Sequence, residues 1–389
     1  MEVFQRMLRS IGPGLLSFAQ DLVRCKSVTG QEGEVIQRIQ QEMTALHYNN
    51  ILTDSLGSVA GVIGHGPKHI YFDGHVDTVG ANPAEWSFDP WSGEIRDGQL
   101  LGRGSVDMKG SVAAAVYGAA LARDHGFTKE CTIYVSCSVM EEDFEGVALE
   151  SEFKELKLIA DAAVICEPTN LRICNGHFGR ALFEVTVPGV SVHASRHQRG
   201  VNALEQIIPA IQRTTSRGRM LLEADGARGS IAATKLETEA ASINSIPSRA
   251  VLTIDRRTCY DDTEERLRQE MDEICGDIPG AEWKVAENSG NSWRGKYVTQ
   301  YNLLPAWRIP QDHRLVLAAQ EACRDLGLRG EVYRRNGFTN GFYTCAKKGV
   351  PTIVLGAGDE ALCHVADERC STDQITKAAM LYALLISKL

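Results

Sequence analysis

The chain has 389 residues, 43% of them hydrophobic and 23% charged, the profile of a globular protein long enough for two domains and not of a disordered or fibrous one. Its formal net charge of −9 disfavours nucleic acid and anionic membrane surfaces as partners, while leaving a small-molecule substrate open. No apolar run approaches the ~20 residues that span a bilayer.

At the N-terminus, residues 1–23 carry Phe4, Met7, Leu8, Ile11, Leu15, Phe18 and Leu22 at roughly helical spacing. Glu2 and Asp21 interrupt the stretch and no basic block leads into it, so it reads as a helix and not as a signal peptide. A second helix is predicted at 32–46, a strand at 69–73 (HIYFD), a small-residue helix at 110–125, and strands at 131–139 (CTIYVSCSV) and 162–166 (AAVIC). After a middle region come a helix at 313–326, a strand at 351–355 (PTIVL) and a last helix at 372–389. These strands are near-continuous apolar runs, as in a sheet buried on both faces, and their alternation with helices predicts a layered α/β domain.

The middle differs. Strands at 180–188, 230–236 and 250–255 alternate apolar with polar residues, and helices are predicted at 201–216 and 263–275. The turn-rich stretches 176–179 and 288–295 read as linkers. The expected organisation is an α/β domain formed by 1–177 and 293–389, interrupted by an α+β domain at 178–292. The 11 cysteines are odd in number and contain no CxxC pair, which fits free, buried thiols in a reducing cytoplasm.

Polar clusters follow the predicted strands, where open α/β sheets build their sites. Asp73-Gly74-His75-Val76-Asp77 ends the first run, and a His and an Asp two apart share one side of an extended segment. Gly102 to Gly110 (GRGSVDMKG) opens the small-residue helix and presents Asp107 from a glycine-lined turn. Met140-Glu141-Glu142-Asp143 follows the next strand; adjacent carboxylates point apart, so one can ligate a metal while the other acts as a base. Cys166-Glu167-Pro168-Thr169 and Cys363-His364-Val365-Ala366-Asp367-Glu368 complete the set. Taken singly, each is an ordinary turn, cap or solvated face.

Together, GHVDT, GRGSVDMKG, MEED, CEPT and the final HVADE resemble the co-catalytic metallohydrolases related to acetylornithine deacetylase, succinyl-diaminopimelate desuccinylase, aminoacylase and carboxypeptidase G. The resemblance covers essentially the whole chain, and WSFDPWSG, CEPTN and GVSVHAS bring it nearest to bacterial deacetylase-like hydrolases linked to purine and selenium metabolism. It implies a catalytic α/β domain with an inserted ferredoxin-like domain through which two copies form a homodimer. It further implies two Zn2+ ions, with Co2+ or Mn2+ as substitutes: His75 and Glu167 on one, His364 and Glu142 on the other, and Asp107 between them. Glu141 would be the general base, and Asp77 would orient His75 through its other ring nitrogen. A cis peptide would fall near Asp107-Met108. Asp367 stands where relatives often carry Asn.

In the inserted domain, Gly189 to Ser195 (GVSVHAS) resembles the family's GxxxHAS, so His193 would reach the partner copy's site and steady an oxyanion. Asn244, in INSIP, and Arg257, in IDRR, resemble substrate contacts, with Arg256 as the alternative carboxylate fork. Thr339 and Asn340, in FTNG, resemble a substrate loop. The implied activity is hydrolysis of the amide bond of a small N-acyl amino acid. A dipeptidase or carboxypeptidase stands as the alternative, followed by an N-carbamoyl amino acid hydrolase. A Cys–His hydrolase using Cys363 or Cys166, and a non-enzymatic binding protein, are the readings from other classes.

Overall fold

Four of the apolar runs lie side by side as parallel strands in the order Cys131–Ser138, Lys68–His75, Ala162–Ile165, Thr352–Val354. Every residue of the last two is buried, which is why they carry no polar alternation. Val59–Gly64 and Asn50–Thr53 extend the sheet antiparallel beyond Cys131–Ser138. Ile173–His177 and Val332–Arg335 extend it on the other side. The parallel centre has one consequence for function: the carboxyl ends of four strands open along one edge, and the loops that follow them are neighbours.

This computed structural model describes Met7, residues 13–223 and residues 229–389. The chain divides into two units, the first from the described residues of Met1–His177, Ser289–Val298 and Arg308–Leu389, the second from those of Phe178–Asn288 and Thr299–Trp307. Of the predicted N-terminal helix, Gly14–Arg24 is helical and buries Leu15, Phe18 and Leu22; Phe4, Leu8 and Ile11 lie outside the described residues. No helix of the described residues is long and apolar enough to cross a membrane.

The expected limit of the insert at 292 differs from the structure. The stretch 289–298 packs within the first unit because Trp293 is apolar enough to need a wall: its ring lies against Gly33 and its Nε1 donates to Gly57 O at 3.3 Å. Gly57 has φ +103°, and a Cβ there would lie 2.1 Å from Trp293 Nε1, so this position accepts only glycine. Lys296 Nζ then reaches Glu155 at 2.8 Å. The chain returns to the second unit at 299–307.

That second unit runs strand Gly179–Pro188, helix Ile208–Glu223, strands Ser230–Glu239 and Arg249–Thr258, helix Glu264–Cys275 and strand Glu282–Val285. This is the βαββαβ order of a ferredoxin-like fold, and its sheet is antiparallel with Arg249–Thr258 and Gly179–Pro188 at the centre. Buried and half-buried residues alternate along both central strands, as the sequence pattern requires. Its core is separate from that of the first unit and includes Phe183, Val185, Leu252, Ile254, Leu267 and Met271.

In the first unit the helix Gly110–Asp124 is buried almost all round, which its glycine and alanine content permits. It packs on the C-terminal helix Thr372–Lys388, where a Cβ on Gly118 would lie 2.8 Å from Ala379 O and 3.1 Å from Tyr382 Cβ. Gly118→Val is therefore expected to lower the urea midpoint by the equivalent of about 1–3 kcal/mol through overpacking. An unchanged midpoint would show that the two helices are not this close.

Candidate metal centre

The sheet edge brings His75, Asp107, Glu141, Glu142, Glu167 and His364 together. His75 ends its strand, Glu141 and Glu142 follow Cys131–Ser138, Glu167 follows Ala162–Ile165, and His364 lies in the loop after Thr352–Val354. Asp107 enters from the irregular turn before Gly110–Asp124, and its peptide bond to Met108 is cis. One carboxylate bridges the two imidazoles: Asp107 Oδ1 lies 3.0 Å from His75 Nε2, and Oδ2 lies 3.2 Å from His364 Nε2. Around them, Glu167 Oε1 is 3.6 Å from His75 Nε2 and Glu142 Oε2 is 3.0 Å from His364 Nε2. Ligand atoms of His75, Glu141 and Glu167, and of His75, Asp107 and Glu142, lie within 4.8 Å of one another.

The electrostatics of this cluster call for positive charge. Burial pushes the Glu141 carboxyl well up, with Glu167, Glu145 and Glu142 adding to it against the opposing pull of His75. Glu142 is raised by burial and by Asp107, and Glu167 reaches about 7 through burial, offset in part by Arg335. Asp107 goes the other way: burial raises it, but His364 and His75 hold it well below the ordinary carboxylate range. Burial lowers His75, yet its neighbours, Glu141 first, lift it well above the imidazole range, and Asp107 and Glu142 hold His364 at about 10. The three glutamates and both imidazoles are thus shifted upward while Asp107 is shifted downward, as expected of a site with more carboxylate than its own cations can balance. Two imidazoles and mixed carboxylates are a donor set that suits divalent transition metals, so the residues fit a pair of such ions.

Three supports were not assigned from the sequence. Arg335 is buried at the end of Val332–Arg335; its Nη1 donates to Glu167 Oε2 at 3.0 Å and its Nε to Glu360 Oε1 at 3.0 Å. One Glu167 oxygen is thereby engaged and the other left facing His75. Glu368, fully buried, accepts from the backbone N–H of Val106 (2.8 Å) and Asp107 (3.1 Å) and from Arg103 Nη1 (2.6 Å), which fastens the turn bearing Asp107. The Glu368 position was visible as the last letter of HVADE, whereas Arg335 had no motif to mark it. Asp367 Oδ1 accepts from Ser87 N at 2.7 Å, tying the WSFDPWSG loop beside His364.

Asp77 lies against His75 Nδ1, its carbonyl at 3.0 Å and its carboxylate at 3.6 Å. The carboxylate also accepts from Glu141 N (2.9 Å), Glu142 N (3.0 Å) and Thr29 Oγ1 (2.8 Å), so it holds the turn that carries the two glutamates. Other expectations are corrected. Thr339 and Asn340 are buried and committed internally, since Asn340 Nδ2 donates to Asp73 at 3.0 Å and Thr339 Oγ1 accepts from Gly341 N at 3.0 Å. Neither side chain is presented to a substrate. Arg256 is also excluded as a carboxylate fork, being buried between Glu270 (2.9 Å) and Asp262 (3.3 Å). Arg257 is more exposed and sits on Asp255 at 2.9 and 3.2 Å.

His193 and Asn244 belong to the second unit, where Asn244 O accepts from Ala194 N at 2.7 Å and both side chains are exposed. Ser195 N donates to His193 Nδ1 at 3.2 Å, so Nδ1 is an acceptor and a neutral ring carries its proton on Nε2. Neither Cys363 nor Cys166 suits nucleophilic work. Burial pushes both thiols far above their ordinary range, and His364 Nε2 is engaged by Asp107 and Glu142.

A layered α/β sheet with this cluster at its carboxyl edge defines a metallohydrolase centre. Residues 71–388 match the family described as Peptidase family M20/M25/M40, and the chain belongs to that family. It is 29% identical over 376 residues to a protein of Escherichia coli strain K12 named YgeY, covering 95% of this chain and 92% of that one. It is 27% identical over 400 residues to succinyl-diaminopimelate desuccinylase of Rhodospirillum centenum, covering 97% and 98%. Among solved structures, an M20 family metallo-carboxypeptidase from Sulfolobus solfataricus superposes with a TM-score of 0.77 at 16% identity, covering 96% of this chain and 98% of that one.

Removing the Arg335 charge leaves Glu167 without the partner that fixes which oxygen it presents. Arg335→Met is expected to weaken binding of a divalent cation about 10–100-fold, read by competition with a chromogenic chelator. Wild-type affinity would show that Arg335 does not act through Glu167.

Proposed function

We propose that this M20 hydrolase is a two-zinc amidohydrolase that removes the acyl group from a small N-acyl amino acid. The observation that carries this reading is the Glu141 carboxylate. It is buried, with a carboxylate oxygen within 4.8 Å of ligand atoms of His75 and Glu167, so it is placed to move a proton at the centre. His75, Asp107 and Glu167 would hold one ion and His364, Asp107 and Glu142 the other. When bound, the pair supplies Lewis acidity that acidifies water and stabilises charge on the carbonyl oxygen.

The protein's own part is proton traffic and placement. Glu141 accepts a proton from the attacking water as the new C–O bond forms, then returns it to the amide nitrogen as the C–N bond breaks. Asp77 keeps the base in position through the N–H groups of Glu141 and Glu142. The Nε2–H of His193, supplied by a partner copy, would donate to the developing oxyanion. Arg257, steadied by Asp255, is the residue suited to the substrate carboxylate.

An N-acyl substrate is favoured over a dipeptide by the desuccinylase relative, which matches nearly the full length of both chains, whereas the family match does not separate the two substrate classes and the solved carboxypeptidase is only 16% identical. Assembly as a homodimer fits the inserted unit: strand Ser230–Glu239 is an edge strand with nine of its ten residues exposed, an arrangement that invites pairing. A cytoplasmic setting fits the 11 free cysteines.

Glu141→Gln is expected to keep both metals while kcat falls about 10²–10⁴-fold, since only proton transfer is removed; loss of metal along with activity would mean the residue is a ligand. Against a panel of N-acetyl and N-succinyl amino acids and dipeptides, the zinc enzyme should show its highest kcat/KM on an N-acyl amino acid. Preference for dipeptides would replace this reading with the peptidase one. Leu236→Glu on the edge strand should shift sedimentation from dimer to monomer, and a wild-type monomer would remove the partner-supplied His193 from the scheme.

A further inference from the structure

Three consecutive backbone N–H groups follow the strand Cys131–Ser138, and two carboxylates collect them. Asp77 takes those of Glu141 and Glu142. The third, from Met140, goes to Glu32 Oε1 at 3.0 Å. No motif marked Glu32. It lies just ahead of the helix Gly33–Ala45, fully buried, and the same oxygen accepts from Gly30 N at 3.0 Å. The segment that carries it is fastened to the His75 strand end as well: Ser27 Oγ donates to Val76 O at 2.6 Å, and Thr78 N donates to Ser27 O at 2.9 Å. Glu32 therefore reaches the glutamate turn from a short loop that is itself held in place.

Met140 explains why a buried acid is useful there. Its φ is +63°, a left-handed conformation that costs a non-glycine residue roughly 1–2 kcal/mol. Such a residue stays in place only when its surroundings determine it. In a turn containing one left-handed residue, successive N–H groups converge and form a concave site for anionic oxygens. Glu32 and Asp77 fill that site from inside the protein. Only one Glu32 oxygen is used, since Oε2 is buried without a hydrogen-bond partner. Burial, followed by Asp77, lifts the carboxyl to about 7. Both N–H groups converge on Oε1, so the feature that matters is the acceptor atom there.

We propose that Glu32 is a positioning residue for the two glutamates of the site: through one carboxyl oxygen it holds Met140 left-handed and so sets the direction in which the Glu141 and Glu142 side chains leave the turn. The assignment rests on Glu141 as base and Glu142 as ligand. It also gives the loop 27–32, which contributes no ligand, a defined part in the reaction.

The test compares Glu32→Gln with Glu32→Ala in the full chain, reading steady-state kinetics and hydrogen exchange of peptides covering 139–143. Gln retains an oxygen acceptor at the same reach and should keep both readouts within about twofold of wild type. Ala should speed exchange at 139–143 about tenfold or more while the strand Lys68–His75 stays protected. It should also lower kcat about 10–100-fold with KM changed less than about threefold, because a misplaced base affects the chemical step. Glu32→Asp, one methylene shorter, should behave like Ala, which keeps the comparison available if Ala does not fold. Equal losses in Gln and Ala, unaltered exchange at 139–143 in Ala, or loss of protection spread evenly over the chain would each overturn the proposal. The exchange measurement needs no substrate, so a wrong assignment of the reaction and a wrong assignment of Glu32 give different results.

Discussion

Buried carboxylates that face one another repel, and everything at this sheet edge is arranged around that repulsion. Asp107, Glu141, Glu142 and Glu167 share a small volume with two imidazoles, and burial raises the cost of each uncompensated charge. Within the chain the imbalance pushes His75, His364 and Glu167 upward; two divalent ions would meet it with fixed charge. Asp107 and Glu167 have their oxygens directed by named partners, which is the preorganisation that metal binding requires.

That choice of direction comes from a surrounding ring of hydrogen bonds, mostly to backbone. Asp77 grips the Glu141–Glu142 turn, Glu368 grips the turn bearing Asp107, and Arg335 engages one oxygen of Glu167. Each partner is itself buried and tied to a second element, so the segments bearing Asp107, Glu141, Glu142 and Glu167 do not depend on their own stiffness. The ferredoxin-like unit stands apart in its physics. Its alternating strands leave a long edge exposed, and its polar residues His193 and Asn244 are set by a loop–loop bridge and not by a core.

The parallel centre of the sheet was legible because fully buried strands leave unbroken apolar runs, and each run ended in a polar cluster. The strands at its margins were not. Asn50–Thr53 is short, Val59–Gly64 (VAGVIG) contains two glycines, and Ile173–His177 mixes apolar with polar residues, so neither length nor periodicity marked them. The six residues of the centre could be read from spacing and resemblance because ligand chemistry restricts residue type. Supporting residues are less constrained: any acid that reaches Met140 N, or any cation that reaches Glu167, would serve, and a single sequence does not show who reaches whom. For the same reason the motif showed Asp77 beside His75 but not its second part, gripping the backbone of Glu141 and Glu142. Thr339 and Asn340 misled for a related reason: the resemblance of FTNG to a substrate loop does not show which way its side chains face, and both are spent satisfying buried partners.

The shared role of Asp107 is tested most directly by anomalous diffraction from crystals grown with zinc. Two peaks are expected, one about 2.0–2.1 Å from His75 Nε2 and one at the same distance from His364 Nε2, with an Asp107 oxygen on each. A single peak, or a pair that leaves Asp107 uncoordinated, would contradict a bridged centre.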